Sequence, residues 1–136
     1  MIEQFEIKLP PFSRGFHLVT HHIESRLKNL PEKGLVNIFI RHTSAGLTIN
    51  ENADPTVRSD MEQYFDRYVP ENEPYYDHTM EGPDDMPAHI KSTLTGSSVT
   101  IPVTNGRLNL GTWQGIYLCE FRNRASSRKL TITIYG

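Results

Sequence analysis

The sequence predicts an α+β fold in which about three helices pack on a mainly antiparallel sheet. Three observations carry that expectation. Apolar residues alternate with period two in six separate stretches. Helical stripes are fewer and do not alternate regularly with the strands, as a doubly wound parallel sheet would require. An Asn105-Gly106 pair sits between Val103 and Leu108, where a tight hairpin would turn, because both residues tolerate positive φ.

The elements follow in chain order. Phe5, Ile7 and Leu9 share one face of a first strand. Thr20 is expected to cap a helix running to about Leu30, with Ile23, Leu27 and Leu30 on one face and Pro31 ending it. Val36, Ile38 and Ile40 form the next strand, and Leu47 with Ile49 a short third. Asp54-Pro55 starts a second helix: Asp54 can cap free amides and Pro55 suits the first helical position. Val57, Met61, Tyr64, Phe65 and Tyr68 then make an apolar stripe up to Pro70. From Pro70 to Pro87 the chain reads as a long surface loop, a kind of segment that often carries function. Asp85 precedes a third, short helix through Leu94, with Gly96 as its C-terminal cap. Strands at Val99–Val103, Ile116–Leu118 and Leu130–Ile134 complete the chain.

The 136 residues suit one domain, 1–136, with no repeat or linker to divide it. A chain of that length buries roughly two-thirds of its unfolded surface, so it needs no disulfide or structural metal merely to fold. Charge is almost balanced, 14 Lys+Arg against 16 Asp+Glu, which argues against a nucleic-acid partner. One Cys excludes a disulfide within the chain and a Cys-based zinc site. With six His, any metal or acid–base centre must be made of imidazole and carboxylate. The acidic start Met1–Glu6 is followed by no signal-peptide core, and the apolar run Leu35–Ile40 is broken by Asn37. A soluble cytoplasmic protein with no membrane partner is the expectation. The phosphate-loop, dinucleotide, HExxH and GxSxG patterns are all missing.

Candidate site residues are those that break an apolar face. His42 continues the face of Val36, Ile38 and Ile40, and Glu120 continues that of Ile116 and Leu118. A buried charge is costly unless paired or metal-bound, although strand ends that reach water would explain both residues. His89 borders the Met86, Ile90 and Leu94 stripe, and His78 lies in the long loop shortly before Glu81. Three imidazoles with an open position would suit a catalytic zinc or similar metal. Asn50–Asp54 sets polar side chains at a helix start, a place suited to an anion or polar ligand. Trp113, between Gly111 and Gly115, can stack on a planar ligand or anchor a core. Cys119 points away from Glu120 and reads as a packed thiol, while Arg122, Arg124, Arg128 and Lys129 form a late basic cluster.

Taken together, several segments resemble the YjbQ family: His42-Thr43-Ser44-Ala45, Asn50–Pro55, Glu81-Gly82, Pro87–Lys91, and Leu110–Ile116 followed by Glu120. The likeness runs from Ser13–Thr20 to the final strand. It implies a compact α+β sandwich, a homotrimer with a polar pocket near the subunit boundary, and a weak, secondary thiamine-phosphate synthase activity with the principal role left open. By motif, His42, His78 and His89 would be the metal ligands, with Asn50, Asp54, Glu81 and Glu120 as carboxylate or amide partners. One departure stands out: many members follow the Glu strand with Asp-Gly-Pro-Arg, where this chain has Phe121–Arg128.

An enzyme of this kind would join a pyrimidine diphosphate to a thiazole phosphate, which requires cationic help for the leaving diphosphate. A divalent metal, zinc or magnesium, would be the cofactor. Glu81 or Glu120 would handle protons or orient a ligand, Lys91 or Arg128 would meet phosphate, and Trp113 with Gln114 would meet the small phosphorylated heterocycle. The alternative is a metal- or small-anion-binding protein whose turnover is incidental. A small hydrolase of phosphorylated metabolites is a third reading.

Overall fold

The computed structural model describes residues 1–136 as eight strands and three helices. In order these are β1 (Ile2–Lys8), β2 (Gly15–Leu18), α1 (Thr20–Glu24), β3 (Lys33–Ile40), β4 (Ala45–Glu51) and α2 (Pro55–Tyr68). Then come α3 (Asp85–Thr95), β5 (Ser98–Thr104), β6 (Arg107–Leu108), β7 (Gln114–Glu120) and β8 (Lys129–Tyr135). Five strands form one antiparallel sheet in the order β1-β8-β3-β5-β6, and three form a second in the order β2-β7-β4. Class and architecture are those expected: α+β, with antiparallel sheet dominant.

Alternation builds the sandwich. Ile7, Val36, Ile38, Ile40, Ile101, Val103, Leu130, Ile132 and Ile134 point from the larger sheet into a core shared with Leu47, Ile116 and Leu118 of the smaller one. Register keeps like with like: Ile38 lies opposite Val99 on one side and Ile132 on the other. The smaller sheet has a second apolar face, where Phe16, Tyr117, Cys119 and Phe121 pack with Ala88 of α3 and with Met61 and Phe65 of α2. β7 is thus covered on both faces, and it is buried without a break from Gly115 to Glu120. Cys119 is fully buried there, and burial pushes its thiol pKa far up.

Helix α2 begins as its sequence requires, the Asp54 carboxylate accepting from the Thr56 amide (2.9 Å) and hydroxyl (2.7 Å). Those two bonds hold the Asp54 pKa below the usual carboxylate range. No residue of α2 is fully buried, and Tyr64 and Tyr68 stack on its outer side. Helix α3 ends at Gly96, whose φ of +98° favours glycine and whose amide bonds the Ser92 carbonyl. The end of α3 lies close against β4: a Cβ at Gly46 would sit 2.0 Å from Thr95 Oγ1 and 2.9 Å from the Gly96 oxygen. At the β5–β6 turn, Asn105 and Gly106 both have positive φ, the conformation expected of a two-residue hairpin.

Three elements differ from the sequence expectation. The first helix stops at Glu24 rather than near Leu30, because tight turns follow and Asn29 adopts φ +56°. Leu27 and Leu30 still pack against the core, so their periodicity reports burial of an irregular segment. β2 is a strand that the pattern does not reveal, since its four residues Gly15-Phe16-His17-Leu18 are too few to establish an alternation. β4 runs for seven residues rather than the short piece expected from Leu47 and Ile49.

Candidate metal centre

The first turns of α3 position two of the key side chains. Asp85 and His89 are four residues apart and therefore share one helical face. The preceding loop brings His78 to the same point. Asp85 Oδ2 lies 2.7 Å from His78 Nε2 and 3.2 Å from His89 Nε2. Glu81 Oε2 is 3.3 Å from His78 Nε2. One ligand atom from each of His78, Asp85 and His89 falls within 4.8 Å of the other two.

Hydrogen bonding defines the donor set. His89 Nδ1 lies 3.0 Å from the Thr43 carbonyl oxygen, which can only accept, so Nδ1 carries the proton. In the neutral ring, Nε2 then presents a lone pair, and it faces the lone pairs of the Asp85 carboxylate. Two acceptors 3.2 Å apart repel unless a proton or a cation lies between them. A backbone carbonyl on one imidazole nitrogen with the other nitrogen turned inward is the arrangement that orients histidine for a metal.

The other Asp85 oxygen is held by Arg122. Its Nη1 donates to Asp85 Oδ1 at 2.5 Å, its Nε to Asp84 Oδ2 at 2.9 Å and its Nη2 to the Glu81 carbonyl at 3.1 Å. The Asn123 amide adds a bond of 2.9 Å to Asp84 Oδ2. Burial alone would raise the Asp85 pKa, but the hydrogen bond from His78 Nε2–H and the Arg122 charge outweigh it and hold the carboxyl below its ordinary value; His78 would offer Nε2 to a metal in its other neutral tautomer, with the proton on Nδ1. Asp84 is lowered in the same way, its burial outweighed by the Asn123 amide and the Arg122 guanidinium. Both acids are therefore ionised at neutral pH.

Open space borders the cluster on two sides. A groove of about 350 Å³ is lined by His42, Thr43, His89, Ser92, Thr93 and Ser97, among others. A smaller hollow of about 190 Å³ lies on the His78 side, against Tyr76, Thr79 and Met86.

The sequence candidates are divided by the fold. His78 and His89 meet, and Glu81 is beside them. His42 lines the same groove as His89 but stands outside the cluster, because its Nε2 accepts the Lys129 amide at 2.9 Å. Its second nitrogen must then carry the proton in the neutral ring, which leaves no lone pair for a metal. Burial and the nearby Arg128 charge lower the His42 pKa and favour that neutral ring.

Glu120 and Arg128 are spoken for by each other. Arg128 Nε and Nη2 reach the two Glu120 oxygens at 2.7 and 2.5 Å, and Nη2 also reaches Ser44 Oγ at 3.0 Å. The Glu120 side chain is wholly buried and the arginine nearly so, making this a two-pronged internal ion pair rather than an acid–base group and a phosphate ligand. Lys91, also expected at phosphate, is buried with Nζ 2.6 Å from Asp66 Oδ1 and lies over the Phe121 ring.

The remaining four candidates lie at the far end of the β4–β7 pair. Ala45 opposes Glu120 at the histidine end, whereas Glu51 opposes Gln114 at the other, about 20 Å away at strand rise. There Asp54 caps α2, Asn50 bonds the Glu51 amide and Gln114 bonds the Gly111 amide. Trp113 is largely exposed beside them. Within one chain these residues do not meet the histidines. Conversely, Asp85 and Arg122 belong to the cluster although neither stood out as a site residue. An Asp four positions before a His on a helix was the legible signal for Asp85; Arg122 was marked only as one of the late basic cluster, with no local sign that it would reach Asp85.

The sequence model of the family described as UPF0047 protein YjbQ-like matches residues 4–136. The chain belongs to the YjbQ-like family. UPF0047 protein YjbQ of Salmonella typhimurium is 52% identical over 135 residues, covering 98% of this chain and 97% of the relative. UPF0047 protein YugU of Bacillus subtilis is 49% identical over 105 residues, 76% of each chain. Among YjbQ-like structures, the conserved hypothetical protein TT1486 of Thermus thermophilus superposes with a TM-score of 0.83 at 35% identity, covering 94% of this chain and 97% of that one. A protein of Sulfolobus solfataricus described as being of unknown function matches the fold at the same TM-score with 23% identity, covering 100% and 98%. No helix of the chain is long and apolar enough to cross a membrane.

Proposed function

We propose that this YjbQ-like protein is a divalent-metal protein whose centre, His78, Asp85 and His89, serves a small phosphorylated ligand in the adjoining groove. The observation that carries this reading is the approach of His89 Nε2 to Asp85 Oδ2 while Nδ1 is committed to the Thr43 carbonyl. A cation resolves that clash of acceptors, and two imidazoles with one carboxylate leave positions open for an external ligand. The donor set fits zinc; magnesium prefers oxygen and fits it less well.

When bound, such a cation would supply charge to stabilise phosphate or diphosphate oxygens. The chain's own groups orient and hold. Thr43 fixes the His89 tautomer, Arg122 fixes Asp85, and Glu81, half exposed beside His78, is placed to orient a ligand or take a proton. A weak thiamine-phosphate synthase activity fits this scheme as a secondary use of the site. Its weakness has a physical reason: Lys91 and Arg128 are committed to Asp66 and Glu120, so neither cation is free to meet the departing diphosphate. The alternative, a metal-binding protein without significant turnover, rests on that same commitment.

A homotrimer belongs to this reading. Tyr64, Tyr68, Met80, Leu94 and Trp113 are each more than half exposed and offer apolar surface for it. A monomer mass by light scattering would refute that part.

Elemental analysis of protein purified without added metal tests the function. One divalent metal per chain is expected, lost in His89→Ala along with slow formation of thiamine phosphate from the pyrimidine diphosphate and thiazole phosphate. Metal retained in His89→Ala would refute the site. Metal lost without any thiamine phosphate formed by the wild type would leave the binding role and refute the synthase activity.

A further inference from the structure

Resting on the metal reading above, we infer that Arg122 is a positioning residue that makes Asp85 a one-oxygen ligand by holding its other oxygen away from the cation. A free carboxylate can offer a metal one oxygen or two. Here Oδ1 is taken by Nη1 at 2.5 Å, which leaves only Oδ2 directed at the two imidazoles.

The guanidinium is itself fixed. Its Nε is bonded to Asp84 and its Nη2 to the Glu81 carbonyl, so three nitrogens are anchored at three points of the segment 81–85. Asp84 is pinned in turn by the Asn123 amide. Arg122 lies two residues beyond the end of β7, so it ties the smaller sheet to the start of α3, where the ligands sit. The two carboxylate contacts are also charge-assisted, and their acceptors are nearly buried, the Asp84 and Asp85 side chains being 9% and 7% exposed. A lysine would preserve the charge but lacks the planar fork needed to reach all three anchors.

Holding one oxygen back also keeps coordination positions open. With two imidazole nitrogens and one carboxylate oxygen, a four-coordinate cation retains one position for an exogenous ligand. A two-oxygen Asp85 would compete for that position. Arg122 thus favours an open site over a closed one.

Cobalt(II) is the probe, because its visible spectrum reports coordination number and geometry. The experiment compares wild type, Arg122→Lys and Arg122→Gln by Co²⁺ titration and absorption, with cooperative thermal unfolding as the check on folding. Removal of a group that orients a ligand typically weakens metal binding by roughly 10–100-fold. Arg122→Gln is expected to show that loss together with an altered spectrum. Arg122→Lys is expected to keep the altered spectrum even where charge restores part of the affinity, a pattern that a purely electrostatic or structural role would not produce. Variants with the wild-type spectrum and affinity would overturn the inference alone. A wild-type protein that takes up no Co²⁺ would overturn both this inference and the metal reading beneath it. Should Arg122→Gln not fold, the Arg122→Lys spectrum decides by the same criterion.

Discussion

Asp85→Asn preserves side-chain shape and removes the charge on which His78, His89 and Arg122 converge. Two effects are separable. Without metal, the variant loses charge-assisted bonds that contribute about 1.5–3 kcal/mol. Arg122 keeps Asp84 and the Glu81 carbonyl, so a net loss of about 2 kcal/mol is expected. With an unfolding entropy of about 2.1 cal/mol/K per residue, each kcal/mol moves the Tm of a chain this long by about 3–4 °C. Metal-free Asp85→Asn should therefore melt about 7 °C below wild type. With metal, a ligand at 100 times its Kd adds about 2.7 kcal/mol, or about 9 °C, to the wild type. If the variant binds 100-fold more weakly, the same metal concentration adds only about 0.4 kcal/mol, or 1–2 °C. Differential scanning calorimetry of both proteins, with zinc and with a chelator, measures the two effects. A zinc-dependent rise of equal size in both proteins would refute the assignment of Asp85 as a ligand, whatever the metal-free difference.

Three further outcomes follow from the geometry. Glu120→Gln leaves the buried Arg128 uncompensated and should destabilise the fold by about 3–5 kcal/mol in urea titration; a loss under 1 kcal/mol would mean that the pair is not sealed from water. His42 has a folded pKa below its ordinary value of about 6.5, so its contribution is fully present above that pH and is lost as pH falls through the folded value. Between pH 7.5 and 5.5, wild type should thus lose more stability than His42→Gln, and equal losses in urea midpoint would contradict this. Gly46→Ala must push back Thr95 and the end of α3, at about 1–3 kcal/mol, and should weaken zinc binding by shifting His89. A crystal structure of Gly46→Ala with α3 unmoved would refute the close-packing explanation.

Much of the fold was legible because period-two alternation records burial of one sheet face. All six alternating stretches are strands. β2 was invisible because a four-residue segment offers too little pattern, and α1 was over-extended because Leu27 and Leu30 pack half-buried against the core without being helical. Face-breaking residues were a mixed guide. Glu120 breaks a face because Arg128 neutralises it eight residues later, a pairing that depends on how the chain returns from β7 to β8. His78 and His89 come together only because the loop before α3 folds back on that helix, and Asp85 looked like an ordinary helix-start acid. Strand parity can say which way a side chain points; it cannot say what lies opposite. The separation of Asn50, Asp54, Trp113 and Gln114 from the histidines is likewise a property of the β4–β7 register, which no local pattern encodes.

Anomalous diffraction from zinc-grown crystals of the unmodified protein tests the metal centre most directly. The donor set predicts one strong peak at about 2.0–2.1 Å from both His78 Nε2 and His89 Nε2, with a single Asp85 oxygen as third ligand. A peak at His42 instead, or no peak among these three side chains, would contradict it.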